Sequence, residues 1–120
     1  MFYKVLSMHS YDQHDLNNDN MDLHVVTETG IVFAGTFVTR ANVDELMIGR
    51  GRTFLWIADM VIVENLHLDT IRDTVQTMIK DLFLDCAFSE IGNIKEVYGT
   101  DKNFEDLQSR EGCVSIILEV

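Results

Sequence analysis

Residues Leu68 to Asp85 read LDTIRDTVQTMIKDLFLD, and this stretch decides the fold. Leu68, Ile71, Val75, Met78 and Leu82 recur at spacings of three, four, three and four. At 3.6 residues per turn they share one stripe of a helix. Asp73, Gln76, Thr77, Lys80 and Asp81 fall outside it. The spacing predicts one main amphipathic helix over about 69–85, capped by Asp69 or Thr70. Such a stripe needs an apolar surface to cover, and the rest of the chain supplies strands.

Immediately before it, Thr53 to Glu64 (TFLWIADMVIVE) is the longest apolar run. It is too short and too β-branched for a membrane helix and predicts one long strand, bulged near Asp59. A carboxylate buried at Asp59 needs a partner, for which Arg50 and Arg52 are the nearest cations. Asn42 and Glu45 have capping-box spacing and predict a short helix over about 43–48, stopped by Gly49. Asp22–Thr27 and Ile31–Thr39 form a hairpin turned at Glu28-Thr29-Gly30. Ile31, Phe33 and Phe37 point one way, and Val32, Ala34, Thr36 and Val38 the other, as in a central strand.

Phe2–Met8 reads as a first strand, and Tyr11–Asn20 (YDQHDLNNDN) as an exposed turn-rich loop. Past the helix, Ile91–Gly99 reads as a short strand and Asp101–Gln108 as a helical turn. Val114–Val120 closes the chain as a strand with Val114, Ile116, Leu118 and Val120 on one face. The sum is an α+β fold: a mostly antiparallel sheet of about five to six strands, packed by the main helix and the short one. The 120 residues fit a single domain, 1–120, without linker or repeat. With 47% hydrophobic residues, that domain can build its own core.

The charge sets the class of partner. Twenty acidic residues against nine basic ones give a net charge of −11. That field repels nucleic acid and anionic membranes, because both bind through Lys and Arg. It attracts and steers a basic protein partner. Cys86 and Cys113 form no CxxC pair, and each has apolar neighbours, as buried structural cysteines do. No signal peptide or membrane span is legible, so the expected setting is cytoplasmic and reducing.

No motif for chemistry is complete. Asp15, Asn17 and Asp19 begin like a calcium loop, but Asn20 stands where glycine is needed and Val26 where the closing glutamate is needed. His9, His14, His24 and His67 make no metal-ligand spacing. No nucleophile motif is present. Gly49-Arg50-Gly51-Arg52 lacks the length and ending of a phosphate loop and reads as a turn. The expectation is a non-enzyme with no metal and no cofactor.

Three stretches together resemble a family of small bacterial immunity proteins that accompany polymorphic toxins, including those of contact-dependent growth inhibition. They are KVLSMHSYDQHDL (4–16), FAGTFVTRANVDELM (33–47) and MVIVENLHLDTIRDTVQTMIKDL (60–82). The resemblance implies no enzyme activity and a place in the cytosol of the toxin-producing cell. It also implies binding to the C-terminal domain of a cognate toxin, many of which are basic nucleases.

The partner-binding candidates are Asp12, Asp15, Asp19 and Asp22 in and beside the loop, with Asp69 and Asp73 on the helix. Tyr11 is the aromatic anchor, with Tyr98 a second choice. The oligomeric expectation is a monomer or a weak homodimer. A reading from another class is a small enzyme or ligand-binding domain. It would assemble His9 or His14, a carboxylate and the Gly49–Arg52 turn.

Overall fold

A computed structural model describes residues 1–11 and 15–120 of the chain. The fold is α+β, built on one six-stranded, mostly antiparallel sheet. β1 (Phe2–Ser10) pairs antiparallel with β2 (Asn20–Thr27), which turns into β3 (Ile31–Thr39). Gly30 makes that turn at φ 101°, a conformation a side chain would oppose. The Thr27 hydroxyl steadies it by accepting from Ile31 N at 3.0 Å.

Thr39 ends β3 and caps α1 (Arg40–Arg50), its hydroxyl accepting from Asn42 N at 3.1 Å. The short helix therefore starts earlier than the Asn42–Glu45 spacing predicts. It ends at Gly51, at φ 61°, rather than at Gly49. The long strand over Thr53–Glu64 is not formed: only β4 (Met60–Val63) is strand, and residues 52–57 are irregular. Asp59 explains the break, because at φ 56° it turns the chain out of the extended region. Its carbonyl accepts from Thr36 N at 2.9 Å and so opens the pairing with β3. Its carboxylate is held by the Ser89 hydroxyl at 2.7 Å, not by Arg50 or Arg52.

The main helix is α2 (Leu68–Lys80), shorter than expected. Leu82 at φ 59° ends it, and α3 (Leu84–Ala87) is a separate turn. The cap position of α2 is His67, which makes no side-chain cap hydrogen bond; Asn65 Oδ1 steadies the entry by accepting from His67 N and the Thr70 hydroxyl. Next come β5 (Ser89–Asn93) and α4 (Ile94–Tyr98), where a single strand was expected. Asn93 and Glu96 form a reciprocal capping box there, which starts a helix at Ile94. A 3-10 turn (Phe104–Asp106) and β6 (Cys113–Glu119) complete the chain.

The main path of the sheet runs β4-β3-β2-β1-β6. The outer edge of β3 is shared: β4 runs parallel beside Thr36–Thr39, and β5 antiparallel beside Ile31–Ala34. One sheet face presents Val5, Leu23, Val25, Phe37 and Ile116, onto which α2 packs Ile71, Val75, Met78 and Ile79. Each such side chain contributes about 1.5–3 kcal/mol by leaving water. Phe88 also joins this layer, edge-on to Phe37 with ring centres 5.8 Å apart. Gly35 is what admits it, since a Cβ there would collide with the Phe88 ring.

The opposite face carries a smaller core of Leu6, Val26, Val32, Ile94 and Leu107 beneath α4 and the 3-10 turn. Buried Lys4 binds that layer on. Its Nζ donates to the carbonyls of Phe104 (2.5 Å), Leu107 (3.0 Å) and Glu105 (3.4 Å). It also lies 4.8 Å from the centre of the Phe104 ring. The cysteines are not buried as expected: Cys86 is exposed and Cys113 half-buried, and both are free thiols. No helix among the described residues is long and apolar enough to cross a membrane.

Candidate functional site

The loop after β1 is tied to two different elements. Leu66 N donates to Leu16 O at 2.7 Å, and the Tyr11 hydroxyl donates to Leu66 O at 3.1 Å. These bonds bring the loop beside the start of α2. At its other end, Thr39 N donates to Asp19 O at 3.0 Å, and Asn20 Nδ2 donates to Asn42 Oδ1 at 3.1 Å. These bring it beside the start of α1.

Between the loop, α1 and β4 lies a groove of about 870 Å³. Asn17, Arg40, Val43, Asp44, Ile62 and Glu64 line it. Arg40 and Glu64 form an exposed ion pair across it at 2.6 Å. That hydrogen bond, with the Asp44 charge added, holds the Arg40 guanidinium above its usual pKa range. An exposed pair of this kind is screened by solvent and adds little to stability, so a competing cation can replace Arg40 at little expense.

The predicted site residues divide around this groove. Asp15 is exposed next to it, its carboxylate accepting from Asn17 N at 3.1 Å. Asp19 sits at the junction with β3 and accepts from its neighbour Asn20 N at 2.8 Å. Asp69 is exposed in the first turn of α2, 3.4 Å from Arg72. Asp73 is exposed one turn further on. Tyr11 is half-buried and packed against the main core, so its ring is already engaged. Burial pushes its phenol pKa up. Asp12 and His14 lie outside the described residues.

Asp22 is on the sheet face opposite α2, the face that also presents Ile62 of the groove. It accepts from the Thr36 hydroxyl at 2.6 Å and lies 3.7 Å from His9 Nε2. A second cleft, of about 340 Å³, runs there past Met8, Asp22, His24, Thr36 and Asp59. His24 Nδ1 is 2.5 Å from the Tyr98 hydroxyl, with the rings edge to face. Burial pushes the His24 pKa down, against an opposing pull from Asp22. It pushes Tyr98 up to about 12. A neutral imidazole accepting from a neutral phenol fits both directions. Tyr98 is therefore committed to His24 rather than free as an anchor.

The Gly49–Arg52 turn sits at the C-terminal end of α1, where the carbonyls of Ile48 and Met47 accept from Gly51 N and Arg52 N. α1 carries Arg50 away from its Thr39 cap by roughly 16 Å, at about 1.5 Å per residue. Among the described residues, no three His, Cys, Asp or Glu side chains are grouped to hold a metal.

Sequence reasoning missed Arg40, Asp44 and Glu64. They lie on α1 and just past β4, and only the parallel pairing of β3 with β4 brings them together. Nothing in their local spacing announces that. No protein-family model matches the chain, and no curated protein or solved structure does either.

Proposed function

We propose that the protein binds and neutralises a basic protein partner, acting as an immunity protein for the C-terminal domain of a toxin of nuclease type. The observation that carries this reading is the groove of about 870 Å³ with Asp44 and Glu64 in its wall. Asp15 is exposed two residues before Asn17 in that wall, on a chain of net charge −11. A lysine or arginine from the partner would enter the groove and take over Glu64 from Arg40. The surrounding carboxylates would steer the encounter and set its rate. A nuclease surface that normally receives phosphate has the matching charge. In this reading the protein works in the cytosol of the toxin-producing cell, without catalysis, metal or cofactor.

The alternative of a small ligand-binding or enzymatic domain would use the cleft with His24, Tyr98 and Asp22, where the perturbed pair sits. The test separates the two. Charge reversal at Asp44 and Glu64 abolishes capture of the partner under the first reading and leaves it untouched under the second. His24→Gln does the opposite.

A further inference from the structure

The end of α1 and the irregular segment after it expose apolar side chains that the fold does not use. Ile48 is 81% exposed, Phe54 61% and Trp56 85%. Exposed apolar side chains of this size in one segment mark an interaction surface, and Trp and Arg are both enriched at binding hot spots. From Leu46 to Ala58 the only charged residues are Arg50 and Arg52. Arg52 lies 5.9 Å from the centre of the Phe54 ring. On a chain of net charge −11 this projection is the exception in sign. What it complements is an apolar hollow edged by carboxylates.

The chain carries an apolar hollow with one carboxylate in its wall. A cavity of about 360 Å³ is lined by Met1, Tyr3, Ile31, Phe33, Ile79 and Leu84. Asp85 also lines it, and Asp81 is exposed nearby in sequence. Leu82, at its lip, is 84% exposed. Ile31 and Thr39 are the two ends of β3. At about 3.3 Å per residue, the hollow and the cap of α1 are roughly 27 Å apart along the strand. α1 and the segment after it lead from that cap back to Met60, beside Thr36 of β3.

We infer that this projection docks into the hollow of a second copy of the same chain. Trp56 and Phe54 meet the apolar wall, and Arg50 and Arg52 meet Asp81 and Asp85. Because the two surfaces differ, the contact is head-to-tail and grows into a ring or a short chain rather than a twofold dimer. This inference goes beyond the toxin-binding reading and needs no toxin to test.

Trp56 is the chain's only tryptophan, so its emission reports the contact directly. With rising protein concentration, sedimentation should show species larger than one chain while Trp56 emission shifts to the blue. Trp56→Ser should remove the assembly by spoiling the projection. Leu82→Asp should remove it by spoiling the hollow, at a position where Asp tolerates the backbone. Mixing the two variants leaves one intact projection and one intact hollow, so it should yield a one-to-one complex and restore the blue shift. A wild-type chain that stays monomeric with a solvent-exposed Trp56 overturns the inference. So does an assembly that survives Leu82→Asp, or a mixture that stays monomeric.

Discussion

The ammonium of Lys4, in the first strand, lies 3.0 Å from the carbonyl oxygen of Leu107, 103 residues later. It also takes the carbonyls of Phe104 and Glu105, and so holds the 3-10 turn onto the sheet. Lys4→Met keeps the stem's apolar contacts and removes the donor. Buried acceptors left without partners carry a penalty of about 1–3 kcal/mol. A fall in unfolding free energy of that size is expected in urea titration, and an unchanged midpoint would show that water takes over these carbonyls.

Gly35 tests the packing on the other face. The Phe88 ring occupies the space a Cβ would need. Gly35→Ala should force the ring off Phe37 and destabilise the fold by about 1–3 kcal/mol, as overpacking does. Pairing it with Phe88→Leu should recover part of the loss. Equal melting temperatures for wild type and Gly35→Ala would contradict the close approach.

The His24–Tyr98 pair fixes the pH dependence. A histidine whose folded pKa is depressed contributes nothing while both states are neutral. Below the unfolded value of about 6.5 the unfolded chain takes up the proton first. Stability should therefore fall as pH drops from about 6.5 through the lowered folded pKa of His24. Tyr98, raised to about 12, predicts a second loss between the ordinary tyrosine value of 10.0 and about 12, where only the unfolded phenol ionises. Melting temperatures of wild type and His24→Gln across acid pH check the first limb. The variant should be flatter there.

The helix α2 was legible because its apolar stripe repeats over more than three turns, and no strand pattern competes with it. The hairpin was legible from Gly30 and the alternation on either side. The Thr53–Glu64 run misled because periodicity reports apolarity and not where it goes: Phe54 and Trp56 are on the surface, and only Met60–Val63 enters the sheet. Thr39 and Asn42 are both good caps, and which one acts depends on where β3 lets go. The acidic loop was visible as composition. The groove beside it was not, because Asp44 and Glu64 meet only through a parallel strand pairing between distant segments.

Charge reversal in the groove should separate binding from folding. Asp44→Lys is on an exposed position and should change stability by no more than about 0.5 kcal/mol. Its effect should fall on association with a basic partner, slowing it by about tenfold at low salt, with little change in the dissociation rate. Thermal melts and surface-binding kinetics on the same preparation measure both. A large loss of stability would mean that Asp44 has a structural role instead.

The most direct test of the central claim is binding to the product of the adjacent upstream gene, measured at low and high salt together with the activity of its C-terminal domain. Tight capture that weakens as salt rises, loss of the domain's activity on binding, and loss of capture in the Asp44→Lys, Glu64→Lys double variant are the predicted results. Capture that is indifferent to salt and to the double variant, or no capture at either salt, would contradict it.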